Sequence, residues 1–161
     1  MPANIAILGS APSSRLLAPF DDPEWEIWAC SSDNMGVLPK VDLWIEIHSL
    51  IRKAGEVPEF VQMLAQHPCV YLQEENPMFK GSRRYPIEEM LAKYGEDRLT
   101  SSAAFLMALA IERKPERIRL FGLDMTTTPE YSAQRPGMKM MIEKARLAGI
   151  DVSAPGTVVT K

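Results

Sequence analysis

Short apolar runs recur along the chain, and most of them end at a glycine or at a cluster of polar residues. The runs cover residues 4–8, 26–30, 41–47, 69–72, 117–121 and 150–153. Such runs are typical of parallel strands buried on both faces, and segments with helical spacing separate several of them. The alternation predicts a three-layer, doubly wound α/β fold of the Rossmann-like class, with about six mainly parallel strands and helices on both faces.

The length of 161 residues suits one domain, and we predict a single domain over residues 1–161. One segment, 73–86, has no hydrophobic period and carries Lys80, Arg83 and Arg84. It predicts a long loop that could act as a mobile lid. The basic residues could meet phosphates, or they could form a solvated surface.

Composition limits the partners and the compartment. The net charge of −3 gives no electrostatic reason to expect nucleic acid or an anionic membrane as the main partner. No apolar run reaches the ~20 residues that span a bilayer, and the first residues lack the features of a signal peptide. The two cysteines, Cys30 and Cys69, lack zinc-type spacing and indicate a reducing compartment. We therefore predict a cytoplasmic protein.

The segment that begins with the fifth run is the strongest candidate for a ligand site. The run ends at Gly122 and is followed by acidic, hydroxyl, aromatic, amide and guanidinium side chains: Asp124, Thr126, Thr127, Thr128, Tyr131, Gln134 and Arg135. Ligand sites in open α/β sheets lie outside the carboxyl ends of the strands. This segment therefore predicts a site at the end of a buried strand, positioned by the rest of the sheet.

Polar residues follow three other runs. Residues 9–14, GSAPSS, could form a phosphate cradle or a plain tight turn. Ser31 and its neighbours could hold a ribose or a base edge, or could cap the next short helix. Glu46 and His48 are two apart, so in a strand they point the same way, and a carboxylate beside an imidazole suits proton transfer. A lone histidine is more often structural, so that alternative stays open.

Residues 99–112, LTSSAAFLMALAIE, are apolar almost all round and predict a buried helix. Thr100 or Ser101 would cap its N-terminus. The hydroxyls of Thr100, Ser101 and Ser102, together with the helix dipole, predict a second anion or sugar contact.

Taken together, these sequence motifs resemble those of a known family. The set ILGSAPSS, DLWIEIH, LTSSAAFLMALAI, IRLFGLDM, EYSAQRP and GIDVSAP spans most of the chain. It is similar to the Rossmann-like family around the domain DUF115, and most similar to short members from phages and prophages. That superfamily includes archaeal pterin pyrophosphokinases and, more distantly, bacterial sialyltransferases that use CMP-sialic acid. The resemblance implies a nucleotide-binding-type domain.

The resemblance also implies roles for particular residues. The first glycine loop of the sialyltransferases contacts the nucleotide phosphates, and its counterpart here is formed by Gly9, Ser10, Ala11 and Pro12. Ser31 corresponds to the residue that holds the ribose, and Gly122 with Asp124 to a G-x-D turn near the nucleotide. The hydroxyl-rich helix start corresponds to Thr100, Ser101 and Ser102. Tyr131 and Thr126 take the positions of two tyrosines on the leaving phosphate. The catalytic histidine of that family has no counterpart, because no histidine follows His67.

Three functional hypotheses follow. The first is a phage or prophage transferase that uses a nucleotide or nucleotide-sugar donor, for glycosyl or pyrophosphoryl transfer. Glu46 or His48 would be its general base, and Tyr131 with Arg135 would stabilise the leaving phosphate. The second is a phage or prophage module that binds or sequesters a nucleotide without turnover. The third is a structural lock in which Arg135 pairs with Asp124 or Glu46.

The sequence names no particular cofactor. Asp124 would bind a sugar hydroxyl of the donor, or Mg²⁺ if the donor resembles ATP. Gln134 completes the set of candidate donor contacts. The apolar edge over residues 150–159 could support a homodimer.

Overall fold

The computed structural model of the protein describes residues 3–125 and 129–155, apart from the side chain of Tyr131. Within these residues, a single sheet of seven strands forms the centre of the fold. The strands are Asn4–Leu8 (β1), Trp25–Ala29 (β2), Leu43–Glu46 (β3), Val70–Leu72 (β4), Ser82–Arg84 (β5), Arg117–Phe121 (β6) and Asp151–Ser153 (β7). Their spatial order is β5-β4-β3-β2-β1-β6-β7, and every neighbouring pair is parallel.

Helices cover both faces of the sheet. The described α-helices are Leu50–Glu56 (α1), Pro58–Gln66 (α2), Ile87–Tyr94 (α3), Ser102–Arg113 (α4) and Pro129–Leu147 (α5), and turns of 3-10 helix occupy Arg15–Leu17 and Ser32–Asn34. On one face, residues of α3, α4 and α5 pack on side chains such as Ile7 and Leu120. On the other face, α2 inserts Phe60 and Leu64. The predicted three-layer, Rossmann-like fold is confirmed. Among the described residues, no helix has the length and apolar character needed to cross a membrane.

Helix α4 is deeply buried, as its sequence predicts. From residue 103 to residue 111 every side chain except that of Phe105 is buried. Ser101 is the residue that caps it, because Ser101 Oγ accepts a hydrogen bond of 3.1 Å from the Ala104 N–H. Since the chain runs from the end of α4 into the start of β6, the N-terminus of α4 lies at the carboxyl edge of the sheet.

The winding direction of the sheet changes at β1. From β1 the chain adds β2, β3, β4 and β5 on one side, whereas β6 and β7 pair on the other side. β1 and β6 are in register from Asn4 opposite Arg117 to Leu8 opposite Phe121, so their carboxyl ends finish together. In doubly wound sheets such a switch point opens a crevice between the two following loops.

The prediction of an irregular loop over residues 73–86 was wrong in its second half. That half contains β5, which is the strand beyond the six that the sequence predicts. Its sequence, Ser-Arg-Arg, lacks an apolar signal because an edge strand can expose its side chains, and Arg83 and Arg84 are exposed here. Tyr85 then anchors the segment, since it is wholly buried and its hydroxyl donates to the Phe105 carbonyl oxygen at 2.6 Å. A lid movement of the remaining loop stays a prediction.

Two helical segments differ from what the sequence indicates. The sequence indicates a helix over residues 137–148, whereas α5 begins at Pro129, so Gln134 and Arg135 lie on a helix and not in a loop. Pro136 lies inside this helix, and a proline usually ends a helical pattern, which explains the error. The sequence also indicates a helix that begins at Pro58, and the structure adds the short helix α1 before it. Ser49 caps α1 by accepting a hydrogen bond of 3.4 Å from the Arg52 N–H.

Candidate functional site

The loops that follow β1 and β6 are fastened to each other by their backbones. The Gly9 N–H donates to the Phe121 carbonyl oxygen and the Ala11 N–H to the Gly122 carbonyl oxygen, each at 2.9 Å. A Cβ on Gly9 would lie 2.5 Å from the Gly122 oxygen, and Gly122 has a φ of +66°. Glycine is therefore required at both positions, for close approach and for backbone conformation. These contacts also use two of the N–H groups that a phosphate cradle would need.

Asp124 lies where the two loops meet. Ser13 Oγ donates a hydrogen bond of 2.8 Å to Asp124 Oδ2, and Ser14 Oγ accepts one of 2.7 Å from the Gly122 N–H. The second carboxylate oxygen, Asp124 Oδ1, is buried and has no hydrogen-bond partner among the described residues. A buried acceptor without a donor is costly, at about 1–3 kcal/mol, so this oxygen is suited to accept a hydrogen bond from a ligand.

Asn34 is a residue of this region that the sequence analysis missed. It is only 1% exposed, and its Nδ2 donates to the Gly9 carbonyl oxygen at 3.0 Å and to the Cys30 carbonyl oxygen at 2.8 Å. Arg15 Nη1 in turn donates to Asn34 Oδ1 at 3.3 Å. Asn34 thus joins the loop after β2 to the loop after β1. Its place in the polar cluster SSDN was the only signal for it in the sequence.

Ser31, predicted to hold a ribose, has a local structural contact. Its Oγ accepts a hydrogen bond of 3.2 Å from the Asp33 N–H, and its φ is +80°, a conformation that few non-glycine residues adopt. The hydroxyl still carries a proton that it could donate to a ligand. The ribose contact stays a prediction.

Glu46 and His48 form a closely bonded pair at the end of β3. His48 Nδ1 lies 2.7 Å from Glu46 Oε1, and the same oxygen accepts a hydrogen bond of 3.0 Å from the His48 N–H. Glu46 is 3% exposed, whereas the His48 side chain is 48% exposed. Burial and, secondarily, the charge of Glu46 raise the pKa of the Cys30 thiol to about 12.

The hydroxyls at the start of α4 are partly engaged within the protein. Ser101 caps the helix, and Thr100 Oγ1 donates to the Gln134 carbonyl oxygen at 3.2 Å. This bond fastens α5 to the start of α4. Ser102 is half-buried in the first turn of α4, where helix N–H groups and the dipole favour an anion.

The remaining candidates are distributed around the same edge. Ser10 is half-buried and Pro12 is exposed in the β1 loop, while Gln134 and Arg135 are half-buried on α5. The Gln134 side chain donates to Glu130 Oε1 at 3.5 Å. Thr126 and the side chain of Tyr131 lie outside the described residues. The lock between Arg135 and Asp124 or Glu46 stays a prediction.

The structure therefore brings the predicted residues together in three groups. The β1 loop meets Gly122 and Asp124, Thr100 meets the backbone of Gln134, and Glu46 meets His48. The strands that carry the first and third groups, β1 and β3, are separated only by β2. At about 4.8 Å between strands, the β1 and β3 ends lie about 10 Å apart.

A cavity of about 360 Å³ lies at the opposite, amino edge, between the ends of α3, α4 and α5. Two of the polar side chains that line it are bonded to Glu112. Lys93 Nζ lies 2.6 Å from Glu112 Oε1, and the Tyr94 hydroxyl donates to the same oxygen at 3.0 Å. Hydrogen bonding to Lys93 is the main reason why the pKa of Glu112 lies below its ordinary value. We place the candidate site at the carboxyl edge, because Asp124 Oδ1 is a buried acceptor without a donor there.

The described side chains also bear on the predicted Mg²⁺ site. The described residues contain no group of three or more histidine, cysteine, aspartate or glutamate side chains that could hold an ion. A Mg²⁺ ion that binds donor phosphates needs only one or two carboxylates, so a contribution from Asp124 stays a conditional prediction.

The fold and the junction of the two loops together define a doubly wound α/β protein with a candidate ligand site at the switch point of its sheet. Solved structures of bacterial sialyltransferases share this fold. The sialyltransferase CstII from Campylobacter jejuni in complex with CMP matches with a TM-score of 0.62 and 10% identity, over 97% of this chain and 81% of that chain. CstII with CMP-3FNeuAc gives a TM-score of 0.61 and 12% identity, over 97% and 82%.

An apo α-2,3-sialyltransferase from Campylobacter jejuni gives a TM-score of 0.60 and 15% identity, over 98% of this chain and 77% of that chain. Identities this low show a common fold. A scan against protein-family models and a search of curated proteins find no match. Membership of the DUF115-like family and a phage origin therefore stay predictions from the sequence motifs.

Proposed function

We propose that the protein is a transferase that binds a nucleotide-sugar donor in the crevice between β1 and β6 and passes the glycosyl group to a hydroxyl. The observation that carries the proposal is Asp124, which lies at the switch point with one buried oxygen that no described residue satisfies. A buried carboxylate oxygen without a donor is costly, and the hydroxyl of a ribose or sugar would satisfy it.

The charges in the crevice suggest how the donor lies in it. Asp124 would repel the donor phosphates, so it suits the hydroxyls of the donor. The N-terminus of α4 carries partial positive charge at the same edge, and Ser102 lies in its first turn. We place the phosphates towards α4, where the helix would also stabilise the negative charge that develops on the leaving phosphate.

The structural neighbours support the kind of donor. CstII was solved in complexes with CMP and with CMP-3FNeuAc, a nucleotide and a nucleotide-sugar analogue. A donor of that chemistry fits a Rossmann-like crevice with an acidic group and a helix N-terminus. A pyrophosphoryl donor would use the same crevice with Mg²⁺. The phage or prophage origin that we attach to the proposal rests on the sequence motifs alone.

A second candidate function is binding or sequestration of the nucleotide without turnover. One observation favours it: the sequence contains no histidine after His67, whereas the resembled sialyltransferases carry their catalytic histidine after the G-x-D segment. This candidate uses the same crevice and differs only in lacking the chemical step.

A thermal-shift screen tests donor binding. The panel contains CMP, CDP, UDP, GDP, ADP, ATP, CMP-sialic acid and NAD, each with and without Mg²⁺. A ligand at 100 times its Kd stabilises the native state by about 2.7 kcal/mol, which raises the Tm by about 5–10 °C for a chain of this size. In Asp124→Asn we expect the affinity to fall about 10–100-fold, because one acceptor becomes a donor.

Asp21→Asn is the matched control, since Asp21 is exposed and precedes β2 at the amino edge. It should bind the ligand as the wild type does. A flat panel with a folded protein would refute both candidate functions. Release of the free sugar or nucleotide during incubation with the hit would then separate transfer from sequestration.

A further inference from the structure

We propose that His48 Nε2 is the group that accepts the proton of the attacking hydroxyl, and that Glu46 is a positioning residue that acts only through His48. The inference rests on the proposed function, because it names the base for that transfer. The sequence left Glu46 and His48 as alternative bases. Their geometry separates the two roles.

Glu46 fixes the imidazole through one oxygen. Glu46 Oε1 receives the His48 N–H at 3.0 Å and lies 2.7 Å from Nδ1. An ionised carboxylate only accepts hydrogen bonds, so Nδ1 must carry the proton in this contact. The neutral ring then has its lone pair on Nε2, which is the atom that can take a proton. Glu46 itself is 3% exposed and is bonded to His48 through Oε1.

The backbone on both sides of His48 is also fixed. Glu46 is the last residue of β3, and Ser49 caps α1 immediately after His48. The Gln73 side-chain amide donates to the carbonyl oxygen of Ile47 between them. Despite this support, the His48 side chain is 48% exposed. An imidazole ring whose orientation is fixed by the protein and whose side chain is partly exposed is the arrangement that a general base needs.

The position of the pair fits the donor proposed above. His48 follows β3 at the same carboxyl edge as the crevice, with only β2 between β3 and β1. The separation of about 10 Å is a distance that a donor can span when its ribose binds Asp124, its phosphates lie towards α4 and its sugar extends along the edge. The base comes from β3, whereas the resembled sialyltransferases carry theirs after the G-x-D segment.

The step balances as a glycosyl transfer. The acceptor oxygen forms a bond to the anomeric carbon of the donor sugar, and its proton passes to His48 Nε2. The bond between the anomeric carbon and the phosphate oxygen breaks, and its electron pair leaves with the nucleotide. Glu46 stabilises the imidazolium that forms and stays ionised throughout.

Histidine NMR tests the geometry without any substrate, because the chain has only two histidines. At a pH where both rings are neutral, long-range ¹H–¹⁵N spectra should show the Nδ1–H tautomer for His48. His67 should show the opposite, Nε2–H tautomer, since its Nε2 faces the Val41 carbonyl oxygen at 2.8 Å and its Nδ1 accepts from the Cys69 N–H at 3.1 Å. Glu46→Gln should weaken the tautomer preference of His48 and leave the His67 signals unchanged. An Nε2–H tautomer for His48 in the wild type would overturn the proposal.

Measurements of turnover test the role of His48 as the general base. With the donor found by the thermal-shift screen, His48→Asn should lower kcat about 100- to 10,000-fold and leave the ligand-induced Tm shift intact. Glu46→Gln should lower kcat less, and Glu56→Gln, an exposed glutamate on α1, should change nothing. If no donor binds, the proposed function fails. If a donor binds and turns over at the full rate in His48→Asn, only the present inference fails.

Discussion

The two histidines of this chain lie at opposite edges of one sheet and are bonded in different ways. His67 precedes β4 at the amino edge, and both of its ring nitrogens lie within 3.1 Å of backbone groups of Val41 and Cys69. His48 follows β3 at the carboxyl edge. Among the described residues only its Nδ1 has a bonding partner, Glu46, and half of the side chain is exposed.

The same contrast holds for the acidic residues. At the amino edge, Glu112 is bonded to Lys93 and Tyr94. At the carboxyl edge, Asp124 keeps one buried oxygen that no described residue satisfies. The difference teaches that residue type does not mark a site in this protein. What marks the candidate site is an acidic group that the fold holds at the carboxyl edge and that has capacity for one more partner.

The first prediction has the largest expected effect and concerns the reactivity of Cys30. It tests a simple version of this contrast, in which every group at the carboxyl edge is reactive, and we expect that version to fail. Cys30 lies at that edge, and burial, with a smaller contribution from Glu46, raises its pKa from 9.0 to about 12. At pH 8 its thiolate should be about a thousandfold scarcer than for an ordinary thiol, equivalent to about 4 kcal/mol. Iodoacetamide labelling followed by mass spectrometry should therefore modify the half-buried Cys69 before Cys30.

Denatured protein serves as the control for this labelling. In guanidinium chloride both cysteines should react at the same rate, because burial is lost. If Cys30 in the native protein reacts with iodoacetamide as fast as Cys69, the end of β2 is accessible to the reagent. The distinction between buried and exposed groups at this edge would then fail.

The second effect concerns the junction of the two crevice loops. A Cβ at residue 122 would lie 2.6 Å from the Gly9 carbonyl oxygen, and the φ of +66° is strained for any other residue. We expect Gly122→Ala to lower the free energy of unfolding by about 3 kcal/mol, and donor binding to fall with it. Urea denaturation measures the loss. Gly55→Ala on α1, where a Cβ meets no atom within 4 Å, should instead stabilise the protein by about 0.5–1 kcal/mol.

The third effect compares the two histidines directly. His67→Ala leaves the Val41 carbonyl oxygen and the Cys69 N–H without their partner, so we expect a loss of about 2 kcal/mol in urea denaturation. His48→Ala should cost about 1 kcal/mol, because Glu46 loses the ring contact but keeps the bond from the backbone N–H of residue 48, and the His48 side chain is half exposed. Equal losses would mean that His48 is as structural as His67, and the contrast between the edges would fail.

Much of the fold was predictable because its signal is local. β1, β2, β3, β4 and β6 are runs of apolar residues, and α4 is an apolar helix with a hydroxyl cap, so short windows of sequence suffice to find them. β5 was missed because a polar edge strand has no periodic signal. The start of α5 was missed because Pro136 interrupts its pattern.

The candidate site was predictable only in part. Gly122 and Asp124 follow a buried strand, so their position at the carboxyl edge followed from the pattern. The bond from Ser13 to Asp124 joins residues 111 positions apart and depends on the pairing of β1 with β6. The bonds from Asn34 to the Gly9 and Cys30 carbonyl oxygens depend on how three loops meet. No local pattern contains these contacts, because they arise only when the sheet is assembled.

The last prediction has the smallest expected effect and concerns the ion pair between Lys93 and Glu112 at the amino edge. Hydrogen bonding to Lys93 lowers the pKa of Glu112 below its ordinary value of 4.5. A lowered folded-state pKa contributes stability above about pH 4.5, and this contribution disappears as the pH falls through the lower value. Since the Glu112 side chain is 35% exposed, solvent screening limits the contribution to a few tenths of a kcal/mol.

A double-mutant cycle with Lys93→Met and Glu112→Gln measures this small coupling in urea denaturation at pH 7 and pH 3. We expect a coupling of less than about 0.5 kcal/mol at pH 7 and a smaller one at pH 3, because the ion pair is lost progressively as the pH falls through the lowered pKa of Glu112. Neither substitution should alter ligand-induced Tm shifts. A change in those shifts would move the ligand site from the crevice to the amino-edge cavity, and the contrast between the two edges would then be reversed.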